Sequence, residues 1–95
     1  MTQIPVTFRT DRAGPYEGEV TAVFPSLESN YGHCVCYAHI GQHGECAMEW
    51  YMETRAATPD EYADLLAELR RIYERDGDTL RVMKRIPYRA WAKRV

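Results

Sequence analysis

Apolar residues recur at every second position in two early stretches, Ile4, Val6 and Phe8 in IPVTFR and Val20, Ala22 and Phe24 in GEVTAVFP. That period belongs to strands with one buried side, and in the second stretch Glu19, Thr21 and Val23 take the other side. The turn-rich TDRAGPYEG joins the two, and the polar PSLESNYG follows. Near the other end, TLRVMKRI sets Leu80 and Val82 against Arg81 and Met83, which predicts a last strand. The period changes in ATPDEYADLLAELRRIYERDG. There Tyr62, Leu65, Leu66, Leu69, Ile72 and Tyr73 stand three and four apart on one helical face. Asp64, Glu68, Arg71 and Arg75 fall on the other, where the carboxylates are expected to meet water and pair with Arg71. Thr58 is the predicted N-cap, Pro59 suits the first helical position, Glu61 closes a capping box and Gly77 supplies a left-handed stop. PYRAWAKRV predicts a short docked helix with Tyr88, Trp91, Ala92 and Val95 along one side.

The stretch HCVCYAHIGQHGECAMEWYME reads as a β-hairpin. From His33 to Ile40, alternation sends Cys34, Cys36, Ala38 and Ile40 to one face and His33, Val35, Tyr37 and His39 to the other. After the turn, Cys46, Met48, Trp50 and Met52 oppose Glu45, Ala47, Glu49, Tyr51 and Glu53. A three-residue loop of Gln42, His43 and a left-handed Gly44 makes the apolar faces coincide. Ile40 is then expected opposite Cys46, Cys36 opposite Trp50, Cys34 opposite Met52, His33 opposite Glu53 and Tyr37 opposite Glu49. The cysteine face is the one expected to pack beneath the helix.

Together these elements predict an α+β fold: an antiparallel sheet of about five strands in the order ββββαβ, with one amphipathic helix on one face, forming a single domain over residues 1–95. An apolar fraction of 45% and a charged fraction of 27% suit an ordinary globular chain. No run approaches the roughly 18 apolar residues that span a bilayer, and MTQIPVTFRT has no charged region followed by an apolar one. Three cysteines, an odd number, fit reduced thiols, so the expected location is the cytoplasm, without membrane contact. The net charge of −2 hides an asymmetry: all 14 carboxylates precede Arg81, whereas half of the 12 lysines and arginines follow Leu80.

Three cysteines and three histidines crowd into residues 33–46. In the expected register, however, Cys34 stands roughly 20 Å from Cys46 and Cys36 about 13 Å from it, too far apart to share a tetrahedral zinc. No metal ligand and no cofactor is therefore predicted. A nucleophilic Cys34 or Cys36 is disfavoured by their expected core position, and no Walker loop, dinucleotide fingerprint or serine triad occurs. A non-enzymatic protein is the favoured reading, with an enzyme or zinc-binding protein as a further alternative.

Two surfaces are candidates for recognition. The sheet face expected to be open gathers His33, Tyr37, His39, Glu49 and Tyr51, with Gln42 and His43 at the hairpin tip. Rings beside ionisable groups suit a protein partner or a second copy of the chain. The alternative is nucleic-acid binding through Arg81, Lys84, Arg85, Arg89, Lys93 and Arg94, with Tyr88 and Trp91 for stacking.

The succession TAVFP, YAHIGQHG, ATPDEYADLLAELR and LRVMKRI resembles a group of small uncharacterised proteins encoded in bacterial genomes, frequently on phage-related or other mobile elements. The resemblance spans nearly the whole chain and rests most on residues 22–25, 37–44 and 57–69. It implies a fold and a genomic setting, and no active site. The sequence thus points to a small interaction or accessory module.

Overall fold

The computed structural model describes residues 3–38 and 43–92. Strand β1 (Gln3–Asp11) is central because residues on both of its sides are buried: Ile4, Val6 and Phe8 on one, Thr7 on the other. Antiparallel pairing then runs outward through β2 (Thr21–Phe24) and β3 (His33–Tyr37) to β4 (His43–Ala47) at the edge. A short helix α1 (Met48–Met52) and β5 (Thr54–Ala56) follow, then α2 (Pro59–Tyr73) and β6 (Thr79–Val82). The fold is α+β, in the expected order with α1 and β5 added.

β5 and β6 share one edge of β1, end to end. β5 is antiparallel to Arg9–Asp11, whereas β6 is parallel to Gln3–Val6, an exception to the all-antiparallel expectation. The reason lies in α2, which continues in the direction of β5 and carries the chain back about 22 Å at 1.5 Å per residue. Gly77, at φ +88°, then reverses it into β6. The N-terminus of α2 has the expected capping box, with Thr58 accepting from the Glu61 amide and Glu61 accepting from the Thr58 amide.

The helix packs as its pattern requires. Leu65 and Leu69 are buried against Ile4, Val6, Phe8, Val20, Ala22 and Phe24, and Tyr62 stacks on Phe8 with ring centroids 4.4 Å apart. Tyr37 joins this core, donating its hydroxyl hydrogen bond to Glu68. Glu68 therefore reaches the sheet, contrary to the expectation that it faces water.

The hairpin departs from its expected register. Cys34 lies opposite Cys46, Cys36 opposite Gly44 and Tyr37 opposite His43. The partner of Cys46 has moved six residues from Ile40, an even slip that preserves the face of every side chain, so alternation alone cannot choose between the two pairings. Gly44 is inside β4 and its φ is not positive, so it is not the left-handed loop residue. The long second strand stops at Ala47 because its partner ends: Gly32, at φ +80°, turns the chain away before His33. With no ladder to continue, Met48 donates to the Gly32 carbonyl and the next residues coil into α1.

The facing is reversed as well. Val35 and Tyr37 pack beneath α2, while Cys34 and Cys46 lie on the opposite face with Val23, Tyr51, Ile86, Ala90 and Trp91. Both faces are covered, and the expected open face does not exist as a unit. Among the described residues, the C-terminal stretch forms a 3₁₀ turn, Tyr88–Ala90, burying Ala90 and Trp91 but leaving Tyr88 75% exposed. Tyr88 and Trp91 thus differ in exposure although they line the same hollows, and Val95 lies outside the described residues.

Candidate functional site

On the face opposite α2, the segment after β6 folds across α1. Tyr51 anchors it: its hydroxyl accepts the Ile86 amide at 2.9 Å and its ring lies 5.3 Å from that of Trp91. The Arg9 guanidinium sits 4.2 Å over the Tyr51 ring and donates from Nε and Nη2 to Oγ1 and the carbonyl of Thr54, both at 2.8 Å. Burial lowers the Arg9 pKa from its ordinary value, with Arg12 adding to the effect and Tyr51 opposing it. Trp91 also accepts the Gly32 amide through its carbonyl, 2.7 Å, tying the C-terminal segment to the start of β3.

Over this floor runs a groove of about 910 Å³, whose walls include Met52, Lys84, Arg85, Tyr88 and Arg89. Among the described residues, Lys84, Arg85 and Arg89 form no ion pair and no side-chain hydrogen bond, in contrast to Arg55, which holds both Glu17 and Glu61. Tyr88 continues into a smaller hollow that it shares with Tyr31, 61% exposed, and with Glu49.

Of the residues expected to bind nucleic acid, Lys84, Arg85 and Arg89 converge here. Arg81 stands opposite Pro5 in β6, outside the groove. Trp91 lines the floor but is buried to 4% exposure, so it supports the groove instead of offering a ring for stacking. Lys93 and Arg94 lie outside the described residues. The sequence reading missed Arg9 and Met52; both become wall or floor only because α1 replaces a strand, which alternation did not signal.

Of the residues expected on the open face and at the hairpin tip, Tyr37 and His43 meet, and the other described ones do not join them. His33 is half-buried, with Nδ1 3.1 Å from the Tyr31 carbonyl. His43 is held by the α2 side of the fold: Nε2 is 2.7 Å from the Tyr73 hydroxyl, and its ring packs near Tyr37 and Phe24. Desolvation lowers its pKa, favouring neutral imidazole. Tyr37 and Tyr51 are buried on opposite faces, and Glu49 is exposed on α1. His33 and Tyr37 face Ala47 and His43, not Glu53 and Glu49. His39 and Gln42 lie outside the described residues. The expected 20 Å separation of Cys34 and Cys46 is overturned, since they are directly opposed. Even so, among the described residues no group of three or more His, Cys, Asp or Glu side chains is arranged to hold a metal ion.

No described helix is long and apolar enough to cross a membrane. Compared with known proteins, the chain matches no family model, no curated protein and no solved structure at a significant level.

Proposed function

We propose that the protein is a small non-enzymatic binding module whose recognition surface is the basic groove and whose partner is single-stranded nucleic acid. The observation that carries this reading is the set of three cations without ion partners among the described residues, Lys84, Arg85 and Arg89, around the exposed ring of Tyr88. Cations spaced along a groove neutralise consecutive phosphates, and an exposed ring gives an unpaired base a surface on which to stack. Tyr31 extends that surface, while Glu49 beside it would repel phosphate and so favours bases at that end. A positive net charge is not required, because the screened field within about 10 Å of the groove governs the contact. A nucleic-acid partner also agrees with the mobile-element setting that the resemblance implies.

The test is titration of a labelled oligothymidine at several salt concentrations. With three phosphates neutralised, log affinity should fall against log salt with a slope of roughly −2. No binding even at low salt, or tighter binding to an acidic peptide than to the oligonucleotide, overturns the reading.

A further inference from the structure

The three thiols differ in access. Cys34 is fully buried and Cys46 nearly so, whereas Cys36 is half-buried and opens into a hollow of about 460 Å³ beneath Trp50, separate from the basic groove. The residue opposite Cys36 is Gly44, and a Cβ there would lie 4.0 Å from the Cys36 sulfur. A glycine at that position leaves the sulfur uncovered from the side of β4. Cys46 lines the same hollow, and its thiol, with the Gly44 amide, favours the charged form of Cys36.

We propose that Cys36 is a covalent modification site, at which its thiolate captures one half of a low-molecular-weight disulfide and the captured group occupies the hollow beneath Trp50. The sulfur anion of Cys36 attacks one sulfur of R–S–S–R. A new Cys36–S–S–R bond forms, the reagent's own S–S bond breaks, and the electron pair leaves on R–S⁻, which takes a proton from water. Cys36 is oxidised and the departing half of the reagent is reduced. Glu45 at the rim of the hollow favours a neutral or cationic R group over an anionic one.

Two physical points support a lasting adduct. Hydrogen bonds to a sulfur anion favour its charged form, and here the Cys46 thiol, then the Gly44 amide, bring the Cys36 pKa down to about 7 against the opposing effects of burial and Glu45. Cys46, left as the donor to Cys36 and also desolvated by burial, is pushed up. Resolution by Cys46 is hindered by geometry. Cys46 faces Cys34, so Cys36 is two residues farther along β3, and strand spacings place the two α-carbons roughly 8 to 9 Å apart. A disulfide needs less than about 7 Å, so bridging them requires the backbone to move.

The experiment is incubation of the full chain with cystamine, followed by intact mass and peptide mapping across pH. One adduct, on Cys36, is expected, with a rate that is half-maximal near pH 7. Cys36→Ser should abolish it. Cys46→Ala should keep the adduct but move the profile toward the ordinary thiol range near pH 8.5, and Cys46→Ser, which retains a donor, should restore it. Gly44→Val should slow the reaction at unchanged pH dependence. No adduct, equal labelling of Cys34 or Cys46, a Cys36–Cys46 disulfide as the product, or a profile unmoved in Cys46→Ala would each overturn the proposal.

Discussion

The Tyr37 hydroxyl donates a hydrogen bond to the Glu68 carboxylate, joining the third strand to the middle of α2 across the main core. Tyr37 is 3% exposed and Glu68 half-buried, so the bond forms where water cannot readily replace it. Tyr37→Phe keeps the ring and removes the donor. The expected loss is about 1 to 3 kcal/mol of stability, the usual cost of depriving a partly buried acceptor, read as a lower denaturant midpoint with unchanged slope.

Two glycines should respond differently to alanine. Gly77 ends the helical segment at φ +88°, where an added Cβ is strained whatever space surrounds it. Gly77→Ala should cost about 1 kcal/mol. Gly44 has ordinary strand geometry, and its added Cβ would meet nothing nearer than the Cys36 sulfur at 4.0 Å. Gly44→Ala should leave stability within about 0.5 kcal/mol of the parent. Thermal melts of the two variants side by side check both values.

What the sequence disclosed and what it concealed have distinct physical causes. The helix was legible to its ends because capping is local: Thr58, Pro59, Glu61 and Gly77 each satisfy a backbone need within a few residues. The core side of β1 and β2 was legible because Ile4, Val6, Phe8, Ala22 and Phe24 leave no choice of face. The hairpin was not, because a slip by an even number of residues costs nothing in alternation and the stop at Gly32 is a property of β3, not of the strand that it truncates. Its facing was inverted because Tyr37 reads as polar while its hydroxyl finds Glu68, far along the chain. In the candidate groove, the cations were visible as a run without acids. The burial of Trp91 and the exposure of Tyr88 follow from a tertiary contact with Tyr51 that no periodicity encodes.

Acid should weaken the fold through the cap of α2. Arg55 donates to Glu61 in a two-pronged pair, at 2.9 and 2.8 Å, and the Thr58 amide adds a third bond. Led by the Arg55 bond and then the Thr58 amide, these hold the Glu61 pKa at about 2 rather than 4.5. Because the folded value is the lower one, the unfolded chain binds more protons in between. The contribution is fully present above pH 4.5 and is lost as the pH falls toward about 2. Glu61→Gln keeps an acceptor for Thr58 but cannot titrate, so its denaturant midpoint should fall less steeply between pH 5 and pH 2 than that of the parent.

The groove should separate charge from stacking. Removing Lys84, Arg85 or Arg89 singly should flatten the salt slope for oligothymidine by about 0.7 each. Removing Arg81, which stands outside the groove, should change it less. Tyr88→Ala should cost about 1 to 3 kcal/mol of affinity at every salt concentration, leaving the slope unchanged. Equal effects from Arg81 and Arg85 would mean that a diffuse field, and not this groove, attracts the oligonucleotide.

Tyr51 should matter to binding without touching the partner. It is 5% exposed, and its hydroxyl is the acceptor for the Ile86 amide, so it fixes the segment carrying Lys84, Arg85 and Tyr88. Tyr51→Phe leaves that amide buried without its acceptor, at a cost of about 1 to 3 kcal/mol. Amide hydrogen exchange at Ile86 should accelerate in the variant. Because no cation is removed, oligothymidine affinity should drop with the salt slope intact, reflecting the entropy of re-ordering the segment on binding. An unchanged affinity alongside faster exchange at Ile86 would show that the cations bind equally well from a loosened segment, and would remove Tyr51 from the account of the groove.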